Sequence, residues 1–154
     1  MKVNKDGLYL IAEFEGLSLK PYMCPAKKAT IGYGNTYYRD GRKVTMLDNP
    51  ITKEEALELL KVIVDSFAKQ VDKLVSTPLN QNQINAVVSF AYHVGIGNLK
   101  NSTLLKLINK DHKQLAISNE FLKWINVGGK KSNGLEKRRI KESQIYFKKW
   151  INII

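Results

Sequence analysis

Residues 50–76 read PITKEEALELLKVIVDSFAKQVDKLVS, and this run decides how the chain is organised. Thr52 and Glu55 form a capping box, in which each side chain satisfies a free backbone N–H at a helix start, and Ile51 is placed as a hydrophobic staple. Apolar residues then recur at helical spacing: Leu57, Leu60, Val64, Phe67, Val71 and Leu74. The pattern predicts a helix over residues 52–76, on the order of 37 Å long at about 1.5 Å per residue. Such a helix is long enough to join two lobes.

The segments on either side of this helix differ in character. Before it, Asn4 is a suitable N-cap for a helix over residues 4–15, and Gly16 suits a left-handed conformation at the end of that helix. Strand formers and glycine follow in residues 30–38, which predicts an exposed hairpin strand, and Asp40-Gly41 predicts a turn. Strand-type runs are confined to about residues 29–47. Beyond residue 78 the patterns are helical, with helices beginning near residues 80, 101, 114 and 135.

Size and composition favour one domain. The chain has 154 residues and is 44% apolar, which is enough for a proper core. We therefore predict an α+β, mostly α fold that forms a single domain over residues 1–154. A small N-terminal lobe with a β-hairpin, about residues 1–50, is joined by the long helix to a larger helical lobe, about residues 79–154.

Charge and cysteine content indicate which partners and which cellular compartment suit the protein. Lys and Arg number 25 against 14 Asp and Glu, so the net charge is +11. Such a charge attracts polyanions, whether nucleic acid, anionic lipid or anionic polymers of a bacterial envelope. Cys24 is the single cysteine, so no internal disulfide forms. No apolar run is long enough for a signal peptide or a membrane span, which predicts a soluble protein made in the cytoplasm.

Glu15 is the leading candidate for chemistry. It lies at the predicted end of the first helix, and Cys24 and Thr30 follow nine and fifteen residues later. A lone carboxylate beside a thiol and a hydroxyl suits acid-assisted bond cleavage. The negative end of the helix dipole disfavours an ionised carboxylate. Desolvation by Phe14 and Tyr33 acts in the same direction, so we expect Glu15 to hold a proton near neutral pH.

The stretch FEGLSLKPYMCPAKKATIGYGNT, residues 14–36, resembles the active-site signature of phage-type lysozymes, the endolysin family that includes the lysozymes of tailed bacteriophages. The family pattern is Glu, eight residues, Asp or Cys, five residues, Thr, and Glu15, Cys24 and Thr30 match it. Two more blocks are similar to the same family in the same order, SFAYHVGIGNLKNSTLL at residues 89–105 and EFLKWINVGGKKSNGLEKRR at residues 120–139. The resemblance covers nearly the whole chain and implies a lysozyme-like fold.

The resemblance implies hydrolysis of the β-1,4 bond between N-acetylmuramic acid and N-acetylglucosamine in peptidoglycan, which lyses the host cell. Glu15 would be the general acid, and Cys24 and Thr30 would position water. Four residues would contact sugar, two on the strand and two on the helical lobe: Gly34, Thr36, Tyr92 and Ser102. No cofactor and no metal are implied.

Because Cys24 stands where many relatives have a second carboxylate, the sequence leaves more than one mechanism open. Its unperturbed pKa is about 8.5, so it is a poor base at neutral pH unless its surroundings lower that value, and we expect nearby Lys27 and Lys28 to do so. Without a second carboxylate, a lytic transglycosylase acting on the same bond is an alternative. A non-enzymatic cationic protein that binds the envelope is another.

The remaining features favour structural roles. His93 and His112 lack an acidic partner at metal-ligand spacing, and Trp124 lies on an apolar helix face. The basic tail at residues 137–150 predicts a terminal helix with a solvated basic face, attracted to the anionic envelope, and an apolar side on the core. That apolar side would comprise Ile140, Ile145, Phe147 and Trp150. We expect a monomer that binds no nucleic acid. By analogy with the family, it would wait in the host cytoplasm until a holin releases it to the cell wall.

Overall fold

The computed structural model describes residues 1–148, and residues 149–154, including Trp150 of the predicted basic tail, lie outside the described part. The elements in chain order are α1 (Lys5–Phe14), β1 (Ser18–Met23), β2 (Ala29–Gly32), α2 (Lys53–Leu74), α3 (Gln81–Val94), α4 (Ile96–Lys100), α5 (Thr103–Lys110), α6 (Ala116–Leu122), β3 (Asn126–Val127), β4 (Lys130–Lys131) and α7 (Asn133–Tyr146). β1 pairs with β2 and β3 with β4, both antiparallel. The fold is α+β and mostly helical, as predicted. Among the described residues, no helix has the length and apolar character that crossing a membrane requires.

α2 begins as the sequence predicts. The Thr52 hydroxyl accepts a hydrogen bond from the Glu55 N–H at 3.1 Å, and the Glu55 carboxylate accepts one from the Thr52 N–H at 3.3 Å. These two bonds satisfy backbone donors that the first turn of the helix leaves free. The predicted capping box is therefore confirmed.

α2 contributes to two hydrophobic cores. Leu59 packs with Ile31 and Val44 in a small core beside the first hairpin. Leu60 and Val64 instead belong to the main core, which the other helices build. A single helix thus supports both the hairpin region and the helical region, as expected of a connecting helix.

α1 ends differently from the prediction. Glu15 is its C-cap in an extended conformation, with φ −99° and ψ 139°, and the Glu15 N–H bonds to the Ala12 carbonyl at 3.2 Å. Gly16 does not adopt a positive φ, so the predicted left-handed glycine is wrong. The chain instead bends at Glu15 and continues without regular structure to β1, whose first residue, Ser18, pairs with Gly32. Glu15 therefore sits between the helix end and the hairpin.

α1 packs closely on α3. The Asn4 side chain caps α1 by accepting from the Gly7 N–H at 3.1 Å, and it accepts a second bond from the buried Asn85 amide at 2.8 Å. A Cβ added to Gly7 would lie 2.4 Å from Asn85 Oδ1, so only glycine allows this approach. The network fixes the helix that presents Glu15 against the main core.

The strands extend beyond the region predicted for them. β1 lies before residue 29 and the β3–β4 hairpin lies after residue 47, so confining strands to residues 29–47 was wrong. Thr30 and Ile31 are 2% and 0% exposed, so the prediction of an exposed strand is also wrong. β2 is buried because it packs against α2. The predicted turn is confirmed, with Gly41 at φ 87° and an isolated bridge between Tyr37 and Lys43.

α7 turns an unexpected face to the core. Ile140, predicted to be on the apolar side, is 40% exposed. The buried residues of α7 are Arg138, Arg139, Glu142, Ser143 and Tyr146. Ile145 and Phe147 pack against the main core as predicted, but the prediction is wrong for Ile140 and for the solvation of the basic residues Arg138 and Arg139.

Candidate active site

Glu15 is held by an arginine that is distant in sequence. Arg138 Nη1 donates to Glu15 Oε1 at 3.1 Å, and the Glu15 side chain is 26% exposed whereas Arg138 is 3% exposed. The Arg138 guanidinium also lies 5.5 Å from the centre of the Phe14 ring. Arg138 thus holds the Glu15 carboxylate on its buried side, while the carboxylate remains partly exposed to solvent. The expectation for Glu15 considered the helix dipole and apolar neighbours but not this cation.

Arg138 is itself fixed by buried groups. Its Nε donates to Glu142 Oε2 at 3.3 Å and its Nη2 donates to the Ser89 carbonyl at 3.2 Å. Glu142 also accepts from the Ser89 hydroxyl at 2.5 Å, and Arg139 Nε lies 2.8 Å from Glu142 Oε1. Burial raises the pKa of the Glu142 carboxyl, against the opposing effects of Arg139, the Ser89 hydroxyl and Arg138. Every nitrogen of the Arg138 guanidinium therefore has a partner.

Cys24 and Thr30 lie together at the hairpin loop. Tight backbone bonds close the loop, from the Cys24 N–H to the Lys28 carbonyl at 3.0 Å and from the Lys27 N–H to the Cys24 carbonyl at 2.8 Å. The Thr30 hydroxyl donates to the Lys28 carbonyl at 2.9 Å. Hydrogen bonding by the Lys28 backbone, and then by the Thr30 side chain, lowers the pKa of the Cys24 thiol. We expected lysine charges to have this effect, but hydrogen bonds are the cause.

Three of the predicted sugar contacts lie on open or partly open surfaces. Gly34, at φ 93°, and Thr36 line a concavity of about 200 Å³ that Val62 and Ile63 of α2 close from the other side. Tyr92 of α3 is partly buried and packs on Phe67 with ring centroids 5.3 Å apart. Desolvation, and then the charge of Glu15, raises the pKa of Tyr92 to about 12, with Arg138 opposing. Tyr92 is therefore a neutral neighbour of Glu15.

Ser102 is occupied within the fold. It is 4% exposed, and its hydroxyl caps α5 by accepting from the Leu105 N–H at 3.0 Å while donating to the Leu99 carbonyl at 2.7 Å. Its hydrogen-bonding capacity is largely used by these bonds.

Trp124 packs edge-on against Phe90 with ring centroids 5.5 Å apart, as a core residue does.

A cavity with a volume of about 550 Å³ lies between the residue 38–51 loop and the start of α2, and Glu15, Cys24 and Thr30 are not among the residues that line it. Within residues 1–148, no cluster of three or more His, Cys, Asp or Glu side chains is placed to hold a metal ion.

The sequence blocks and this geometry agree with a family assignment. A family model described as phage lysozyme matches residues 12–142. The chain belongs to the phage lysozyme family. The endolysin of Bacillus phage B103 is 45% identical over 148 residues, which cover 95% of this chain but 54% of that protein. The chain thus spans about half the length of the Bacillus phage endolysins it matches.

Solved structures of phage lysozyme relatives share the fold. A variant of P22 lysozyme superposes with a TM-score of 0.85 at 32% identity, covering 96% of this chain and 99% of that one. The muramidase domain of SpmX from Asticaccaulis excentricus gives a TM-score of 0.79 at 30% identity, again covering 96% and 99%. The domain is therefore a lysozyme-type glycoside hydrolase with a lysozyme-like fold, as predicted.

Sequence reasoning missed the buried partners of Glu15. Arg138, Arg139 and Glu142 lie within the predicted basic tail, for which a solvated basic face was expected. A signal was present, because Leu135, residues 138 and 139, Glu142 and Tyr146 follow one another at spacings of three or four residues. Charged residues thus occupy the inward-facing positions of a helix, which is rare unless they are paired.

Proposed function

We propose that this domain hydrolyses the β-1,4 bond between N-acetylmuramic acid and N-acetylglucosamine in bacterial peptidoglycan, as an endolysin does. The observation that carries the proposal is Glu15, a carboxylate anchored on one oxygen by buried Arg138 and 26% exposed to solvent. A general acid needs this combination, since it must be held in place and yet reach the leaving oxygen. Membership of the phage lysozyme family and the name of the muramidase relative support it.

In this mechanism Glu15 protonates the glycosidic oxygen, a role that contributes about 10²- to 10⁴-fold. Thr30 and Cys24 position the water that completes hydrolysis, supported by their contact at the hairpin loop. The lowered pKa of the Cys24 thiol favours the thiolate, which is the form that accepts a hydrogen bond from water. The usual partner of a glycosidase acid is a second carboxylate, and here Cys24 stands at that position in the family pattern.

Sugar contacts are proposed on both sides of Glu15. Gly34 and Thr36 line the concavity beside α2, and Gly34 leaves room for a sugar to approach the backbone. Tyr92 lies on the helical side, where its neutral hydroxyl can donate to a sugar. Ser102 acts on this surface indirectly, by fixing the start of α5, because its own hydroxyl is bonded within the fold.

Product analysis tests the reaction. Peptidoglycan digested with the protein is expected to carry reducing muramic acid ends, detected by mass spectrometry after borohydride reduction. A lytic transglycosylase, the alternative that needs no water, leaves 1,6-anhydro ends instead. Anhydro products as the main species would replace the proposal with that alternative.

The role of Cys24 has its own test. Cys24→Asp is expected to retain wall-clearing activity, because a carboxylate also directs water, whereas Cys24→Ala is expected to lose most of it. Cys24→Ser is the matched variant that keeps a hydrogen-bonding group without the thiol. Wild-type activity in Cys24→Ala would reduce the residue to a space-filling role.

We propose the cell wall as the site of action and a holin as the means of release, both on the strength of the family. Expression of the protein in a host with and without a holin tests the route, and lysis confined to the holin-positive culture is expected. Equal lysis in both cultures would exclude holin dependence.

We further propose that the protein is a monomer, which a mass measured by light scattering tests. We also propose that its net charge of +11 attracts it to the anionic envelope.

A further inference from the structure

A cluster of charged residues lies buried where α3 meets α7. Arg138 is 2% exposed, and Arg139 and Glu142 are each 0% exposed. Burying ionic groups carries a desolvation cost that often cancels the attraction between them, so apolar residues of similar volume would stabilise the fold at least as well. Stability alone therefore does not account for the cluster. Its position behind Glu15 points to a role in the chemistry.

The cluster reaches Glu15 through a single guanidinium group. Arg138 Nη1 bonds to Glu15 at 3.1 Å and Arg138 Nε bonds to Glu142 at 3.3 Å, so the two carboxylates share one cation. Arg139 Nη2 donates to the same oxygen of Glu142 at 3.2 Å, and Arg139 Nε lies 2.8 Å from the other oxygen. The buried groups thus comprise two arginines and one carboxyl group, and Glu15 is the second carboxyl group that Arg138 contacts.

We propose that Glu142 is a positioning residue for Glu15: it fixes Arg138 and offsets part of the positive charge that the arginine pair places beside the Glu15 carboxyl group. This inference rests on the proposed role of Glu15 as the general acid. A cation beside a carboxyl group favours the ionised form, which is the wrong form for an acid catalyst. Glu142 removes part of that effect while the arginine retains its grip on the carboxylate.

The other titratable groups nearby do not compete for this role. Tyr92 is neutral because its pKa is raised to about 12, and His93 is neutral above about pH 5 because desolvation, and then Arg139 and Arg138, lower its pKa to about 4. On the outer side, Lys141 pairs with Glu13, so their charges largely cancel. Among the described residues, the charged groups linked to Glu15 by hydrogen bonds are those of the cluster.

Two substitutions of opposite sign follow. Glu142→Gln keeps the shape of the side chain but leaves the arginine pair uncompensated, so the alkaline limb of the pH–rate profile should move down by about one pH unit. Arg139→Gln removes a positive charge and should move the limb up by a similar amount. The double variant restores the charge balance, and its limb should return to within a few tenths of a unit of the wild type.

The experiment measures wall clearing against pH for the wild type and the three variants, with thermal unfolding recorded at each pH. A second readout follows the ¹³C chemical shift of the Glu15 carboxyl, assigned by comparison with Glu15→Gln, so each titration is seen without reference to activity. If Glu142→Gln does not fold, Arg139→Gln and the double variant still supply a shift and its reversal. Folded variants whose limbs do not move, or all move the same way, would overturn the proposal.

The two proposals fail in different ways. If Glu15 is not the acid, Glu15→Gln clears walls normally while the ¹³C titration of Glu15 still responds to Glu142→Gln. If Glu142 only supports the fold, the variants lose stability while the ¹³C titration stays at its wild-type position.

Discussion

Replacing Arg138 with Met should damage both stability and activity. The change keeps most of the side-chain volume and removes the charge, so the Ser89 carbonyl loses its guanidinium donor and Glu142 keeps Arg139 as its cation, with the Ser89 hydroxyl as a further donor. Removing one partner of a buried ion pair typically costs about 3–5 kcal/mol. Since Arg139 still compensates Glu142, we expect the lower end, about 3 kcal/mol. At about 2–4 °C per kcal/mol for a chain of this size, the melting temperature should fall by roughly 6–12 °C.

Urea unfolding followed by circular dichroism measures this cost, and clearing of peptidoglycan at 20 °C measures activity in the folded protein. Activity should fall further than the folded fraction does, because Glu15 loses its only described hydrogen-bond donor. Lys141→Met is the matched control on the same helix, where the pair with Glu13 is about half exposed, so its effect should stay below about 1 kcal/mol. If Arg138→Met unfolds at the same urea concentration as Lys141→Met, the reasoning about the buried cluster is refuted.

Two further predictions concern the scaffold. Gly7→Ala should destabilise the protein by about 1–3 kcal/mol, because the added Cβ would lie 2.3 Å from Val3 and 2.4 Å from Asn85. Gly97→Ala is the control and should not destabilise the protein, because the space around its added Cβ is open. Equal thermal stability of the two variants would contradict the close packing of α1 on α3. Hydrogen bonds from Thr45, and then from Tyr38, lower the pKa of Asp48 to about 2. Its folded-state pKa lies below the unfolded value, so the stability it contributes is present above about pH 4 and is lost as the pH falls towards 2. Asp48→Asn should therefore flatten the dependence of unfolding free energy on pH in that window, and an unchanged slope would count against the assignment.

Local sequence signals predicted the helices well. The capping box at Thr52 and Glu55 and the cap at Asn80 depend on residues three apart, so they can be read from the chain itself. The first strand was missed because its partner lies beyond a loop and because Pro21 sits within it. Proline argues against a central strand but is tolerated in an edge strand, and both strands of a two-stranded sheet are edges.

Only the part of the candidate site that lies close to Glu15 in sequence was predicted. Glu15, Cys24 and Thr30 lie within sixteen residues of one another, and their spacing carried the family resemblance. Arg138 is 123 residues away from Glu15, and although helical spacing signals an inward-facing position, it does not identify Glu15 as the partner. A charged residue reads as solvated until its tertiary partners are known. The same limit explains the error at Cys24, where backbone hydrogen bonds of the loop had the effect that sequence proximity suggested for lysine charges.

The measurement that tests the account most directly is the wall-clearing rate of Glu15→Gln. The amide keeps an oxygen that can accept from Arg138, so the variant should fold with the stability of the wild type while lacking the proton that the glycosidic oxygen needs. We expect the rate to fall by at least about 10²-fold, with unchanged binding to cell walls. A folded Glu15→Gln protein that clears walls at the wild-type rate would contradict the central claim and would leave a charge-based, non-enzymatic action as the explanation.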